Sequence, residues 1–189
     1  CSTIEDIFLA LKTALQQLEE KLLKNLDELI DTALIIEPRS LDKPEFMISH
    51  DRYTEVAYET IPPVRRRMMH RDVARAIEQA YEGQLADHFA ALADHYDRAE
   101  EGSQAAHYTA LAGEKAAERF AVSEALHYLD RALALLPEDE IGKQAKLRLI
   151  REKVYSLQGM RQPQRDELVA LEALSPQLPT KTQAEIYLR

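Results

Sequence analysis

A histidine followed by an acid, His50-Asp51, stands in the stretch "EFMISHDRYTEVAY". The apolar run Phe46-Met47-Ile48 reads as the end of a strand, and Asp51 onward as the first turns of a helix. An imidazole at such a junction can donate to a phosphate oxygen. It can also simply pack at the strand's edge while Ser49 or Asp51 caps the helix. No ligand cluster accompanies His50, so a metal role has little support. His88 and His95 lie seven residues apart, on one face of an expected helix, with Asp87 and Asp94 alongside. That spacing matches no standard zinc pattern, and packing or surface polar contacts are expected. Arg65-Arg66-Arg67 with His70, Arg71 and Arg75 forms the one basic patch. It could touch phosphate, nucleic acid or an acidic face; a solvated helix face that salt-bridges acidic partners is the expectation.

No GxxxxGK[ST] occurs, and the five glycines, at 83, 102, 113, 142 and 159, are isolated. A phosphate-cradling loop is therefore missing, and any nucleotide site needs another domain. Cys1 has no partner that would make it a nucleophile. Neither catalysis nor a metal centre is expected of this chain.

The 189 residues are 46% hydrophobic and 30% charged, with a formal net charge of -9. The acidic balance argues against a nucleic-acid footprint, which wants clustered Lys and Arg. A single cysteine excludes an internal disulfide framework and fits a cytoplasmic protein. No apolar run reaches about 18 residues, so no membrane span is expected. The chain opens on Cys1 and ends in mid-pattern at "AEIYLR", and we expect it to be a piece of a longer protein.

Strong helix formers fill most positions, so a mainly α protein is expected. Apolar residues from Ile4 to Leu18, then Leu22 to Leu34, recur at helical steps. A β-hairpin is expected at about 34–49, where Pro38, Ser40, Asp42 and Pro44 separate two apolar runs. Helix, helix, hairpin is the outline of a winged-helix-like unit, assigned to 1–60. Residues 61–84 read as a linker helix with Val64, Met68, Val73, Ile77 and Tyr81 as core. From 85 to 189 the pattern is helical hairpins joined by short loops, so neighbours should be antiparallel.

Two segments of that region superpose. "ALHYLDRALALLP" ends at Pro137, and "ELVALEALSPQLP" carries Pro176. They resemble the tetratricopeptide repeat, in which a small residue marks the helix crossing and a Pro closes the second helix. Gly113, Ala125, Ala132 and Pro137 match in the first segment; Tyr155, Gly159 and Pro176 match in the second. The two prolines lie farther apart than the usual period of about 34, and the early aromatic is absent. The expected fold is an α-solenoid of degenerate repeats after a small winged-helix-like unit.

The stretches "FMISHDRYTEVAYETIPPVRRRMMHRDVARAIE", "LADHYDRAE" and "AAHYTALAGEKAAERFAVSEALHYLDRALALLP" together resemble bacterial signal-transduction ATPases of the STAND type. The likeness covers about residues 20 to 176. It implies a parent carrying a P-loop ATPase, a winged helix and repeats, with ATP or ADP bound upstream. It also implies that His50-Asp51 reads the phosphates of ADP and holds a resting state. Ser49 departs from the apolar residue that precedes the histidine in that family's motif. The implied partners are the upstream ATPase domain and a protein or ligand on the repeats. A plain helical-repeat scaffold without a nucleotide link is the alternative. A winged-helix DNA binder is a third, opposed by the acidic balance and by Asp27 and Glu28 beside Lys24.

Overall fold

The computed structural model describes residues 19–36, 47–49 and 51–189. Among them are nine α-helices, packed as adjacent pairs in an all-α protein. They are α1 (Glu19–Asp31), α2 (Asp51–Thr60), α3 (Pro63–Ala80) and α4 (Phe89–Arg98). They continue with α5 (Gly102–Glu118), α6 (Val122–Leu135), α7 (Ile141–Leu157), α8 (Arg161–Leu174) and α9 (Thr180–Tyr187). Two short segments, β1 (Ile35–Ile36) and β2 (Met47–Ile48), run antiparallel, with Ile35 opposite Ile48 and Ile36 opposite Met47. Two residues a side do not make a sheet. The loop of the expected hairpin, 37–46, and the apolar series from Ile4 to Leu18 lie outside the described residues.

The chain forms two compact units, one ending at Glu101 and the other starting at Gly102. In the first, α1 leans on β1, α2 on β2, and α3 packs along α4. The segment expected as a linker is thus the first helix of a helical pair. Pro62 is extended (φ -56°, ψ 142°), as a residue before proline must be, and Pro63 opens α3 without wasting an amide. Val73, Ala74, Ala76 and Ile77 are buried on α3. Val64 and Met68, expected in the core, are instead 61% and 49% exposed. The reason is rotational: at about 100° per residue, Met68 points some 140° away from Val73. Stepping back from Ile77 through Val73 leads to His70, and that residue takes the inward place.

In the second unit α5 packs on α6, α6 on α7 and α7 on α8. The helices α5 and α7 have 17 residues each, and α6 and α8 have 14. Helices begin at Pro63, Gly102, Ile141 and Thr180, each 39 residues after the last. The turns obey the same interval. Phe120 (φ +59°) and Gly159 (φ +68°) both take the left-handed conformation just after the first helix of a pair. In each case the next amide reaches back five residues: Ala121 to the Ala116 carbonyl and Met160 to the Tyr155 carbonyl, both at 2.9 Å. This is the Schellman closure, which glycine enters freely and phenylalanine only at a cost of about 1 kcal/mol.

The close approach of α5 and α6 has a visible cause. A Cβ on Gly113 would stand 3.1 Å from Leu129 Cγ and 3.2 Å from the Leu129 backbone nitrogen. Ala125, Leu129 and Ala132 are wholly buried in the core below it. Leu136 is extended (ψ 136°) before Pro137, which ends α6. Pro176 lies in the 3-10 turn Ser175–Gln177 that follows α8.

Candidate functional site

His50 lies outside the described residues, and Asp51 is the first residue of α2. The chain reaches that point through Ser49, whose amide donates to the Leu34 carbonyl at 3.0 Å. The Ser49 hydroxyl is buried and has no hydrogen-bond partner. Ser49 therefore does not cap α2, which removes one branch of the capping alternative.

The first unit gathers polar groups where the sequence reading had separated them. His70 on α3 and His95 on α4 meet through their Nδ1 atoms, 2.9 Å apart. The Tyr58 hydroxyl of α2 lies 3.1 Å from the other nitrogen of His70, Nε2. Tyr58 is the only residue of α2 between Glu55 and Thr60 that is not exposed. The Arg66 guanidinium stands over its ring at 4.8 Å. Asp94 and Arg98, on α4, pair with one another at 3.0 Å beside the imidazoles. His95 is 2% exposed. Burial first, and then His70, push its pKa down to about 4. Burial and Arg98 also lower that of His70. His95 sits in the last turn of α4, where the helix dipole favours a cation by about 0.3–1 kcal/mol. Burial outweighs that preference. Both rings are neutral at pH 7.

His88 and His95, expected on one face, have parted company. The His88 ring stacks on Tyr81 with centroids 3.8 Å apart. Among the described residues no three His, Cys, Asp or Glu side chains are grouped to hold a metal. The basic patch is partly spent within its own unit. Arg67 pairs with Glu100, and Arg71 with Glu101 at 3.2 Å. Glu100 adopts φ +59° at the end of α4 to close that helix.

In the second unit a groove of about 680 Å³ opens between α5, the end of α6 and the start of α7. Ala106, Leu111, Leu136 and Leu147 line it. The charged pairs Lys146–Glu114 (2.6 Å) and Lys143–Glu140 (2.9 Å) belong to its lining, with both lysines largely exposed. Deeper in the unit, Arg151 of α7 bridges Asp130 of α6 and Glu167 of α8. Arg148 joins Glu167 at 3.4 Å. Burial opposes the Arg151 charge, yet the hydrogen bonds to both carboxylates raise its pKa overall. Tyr155, on the same helix, is half-buried, and burial pushes its hydroxyl pKa up.

The second helical crossing differs in kind from the first. Glu152 stands 39 residues after Gly113, and Gln164 stands 39 after Ala125. Glu152 is 2% exposed, accepts from Gln164 Nε2 at 2.7 Å, and is neutralised by Arg189. A polar lock thus occupies the register where the first pair uses two small residues. The sequence reading missed both this lock and the imidazole pair. The available signal was spacing: His70 precedes Val73 and Ile77 by three and seven, and Glu152 lies at the repeat interval from Gly113.

Compared with family models, with curated proteins and with solved structures, the chain matches none. Among the described residues no helix is long and apolar enough to cross a membrane.

Proposed function

We propose that this chain is a non-catalytic regulatory and protein-interaction part of a larger signalling ATPase of the STAND type. In that reading residues 1–60 are winged-helix-like, and tetratricopeptide-like repeats follow. The chain restrains an upstream nucleotide-binding domain and takes a protein partner or ligand on its repeats. The observation that carries the repeat half is the 39-residue register. Helix starts, left-handed turn residues and the prolines Pro137 and Pro176 all keep it. The groove beside Leu111 and Leu147 offers apolar surface flanked by charge, which suits a peptide segment better than a small metabolite. The nucleotide half rests on the sequence around His50 alone, and ATP or ADP belongs to the parent protein.

The test is ADP retention. The 189-residue chain alone should bind neither ADP nor ATP tightly. In the full-length parent, His50→Ala should release bound ADP faster than wild type. Unchanged retention would overturn the sensor role. The scaffold reading, without a nucleotide link, is favoured by the groove and register, which need no nucleotide. It expects His50→Ala to lower thermal stability only. Lys146→Glu at the groove would then weaken partner binding while ADP retention stays as it was.

A further inference from the structure

We propose that the second unit docks head to tail on a second copy of this chain: the apolar, basic edge at its turns around Phe120 and Gly159 enters the groove beside the acidic turn at 138–140 of the next copy. The edge comes first. Phe120 is 76% exposed and held at φ +59°, so the fold gains nothing from an aromatic there. One period later, Leu157 and Met160 stand on either side of Gly159, 61% and 41% exposed. Both turns lie at the same end of the unit, because neighbouring helices are antiparallel. Leu129 faces Gly113, Arg151 meets Asp130, and Gln164 meets Glu152. Three large apolar side chains along one edge make a contact surface rather than a core. The charge there is one-sided. Residues 153–165 hold Lys153, Arg161 and Arg165 and no acid, in a chain with 33 acidic residues. All three cations are exposed, and none has a partner among the described residues.

The groove of about 680 Å³ lies at the other end, between the start of α5, the end of α6 and the start of α7. Leu111, Leu136 and Leu147 give it apolar walls, and its volume falls within the roughly 300–1,000 Å³ of ligand sites. Lys143 and Lys146 on its wall are already paired with Glu140 and Glu114. Glu138 and Asp139, in the turn at this end, are exposed and have no side-chain partner among the described residues. The groove end therefore presents unmatched negative charge, and the edge unmatched positive charge. One copy cannot bring the two together. With 14 residues in α6 and 17 in α7, about 20–25 Å of rigid helix keeps them apart. A second copy supplies the missing half. Because edge and groove are different surfaces, each added copy keeps one of each free, and assembly does not stop at two. This inference rests on the reading of the groove as a protein-binding surface, and not on any nucleotide role.

The experiment is sedimentation equilibrium of the 189-residue chain from about 5 to 500 μM at low salt. The mean mass should rise with concentration beyond that of a dimer, and salt should weaken the association. Arg161→Glu with Arg165→Glu makes both surfaces acidic, and Glu138→Lys with Asp139→Lys makes both basic. Each double variant alone should stay monomeric, while an equimolar mixture should associate again. Phe120→Gly relieves the backbone and should weaken association about fivefold or more without loss of helicity. A wild type that is monomeric throughout would overturn the proposal. Should Lys146→Glu still weaken binding of another protein in that case, the groove serves a different partner and its reading as a binding surface survives. Association that persists in either double variant alone, or a mixture that stays monomeric, would also overturn head-to-tail docking.

Discussion

At the scale of single residues, two backbone positions decide how the helical pairs close. Gly113→Ala sets two effects against each other. Alanine gains about 1 kcal/mol of helix propensity over glycine. Against it, the new methyl would lie 3.2 Å from a backbone nitrogen of α6, which cannot rotate away as a side-chain tip would. Overpacking of that kind costs about 1–3 kcal/mol, so we expect a net loss of about 1 kcal/mol in urea denaturation followed by circular dichroism. A gain in stability would mean that α5 and α6 separate more easily than the geometry implies. Phe120 presents the opposite case. It is 76% exposed and held at φ +59°, so its side chain contributes little and its backbone is strained. Phe120→Gly, which copies the residue at the equivalent turn, should stabilise the chain by roughly 0.5–1 kcal/mol once the greater freedom of the unfolded state is discounted. The denaturation midpoint, at unchanged slope, reads that directly.

At the scale of elements, the contacts between α6, α7 and α8 mix apolar packing with a shielded ionic network. Glu167, with its side chain 8% exposed, receives Arg151 and Arg148. Removing it strands the Arg148 guanidinium and leaves Arg151 with Asp130 alone, while the Nε atoms of both arginines already lack partners. Glu167→Ala should therefore cost about 3 kcal/mol. Lys146→Ala removes a solvent-screened pair on the groove and should cost under about 0.5 kcal/mol. Comparable losses for the two variants would contradict this ranking. Element positions from α2 to α9 were largely legible in the sequence, because Pro62-Pro63, Gly83, Gly102, Pro137 and Gly159 interrupt the apolar periodicity. The closures at Ala33, Glu100 and Phe120 were not legible. Each turns left-handed without a glycine, driven by the bonds of its helix end rather than by its own preference. The inward face of α3 was misread because Val64 and Met68 make a four-residue step of their own. His70 was counted with the arginines rather than with Val73 and Ile77. Pairings between helices, such as His70 with His95, depend on how two faces meet, and no single-helix pattern contains that.

At the scale of the whole molecule, the chain divides at Glu101 and Gly102 into two compact units, and the second holds two apolar clusters of its own, around Leu129 and around Leu171. Residues 102–189 should fold alone, with strong helical circular dichroism and a cooperative melt. A broad, non-cooperative melt would show that this unit needs the rest of the chain. The constant 39-residue interval has a further consequence for how such a chain can be lengthened or shortened. Excising residues 141–179 would leave every remaining helix in phase. It would also set Arg189 against Gly113, where no carboxylate awaits it. The helical pairs are alike in length yet not interchangeable. Glu152, Gln164 and Arg189 travel as one set that straddles the boundary between successive pairs. Duplication or loss of a pair in this molecule is therefore constrained by chemistry and not by register, and a segment copied with its ionic set intact must run from Glu152 to Arg189, across that boundary, rather than from one pair's start to the next.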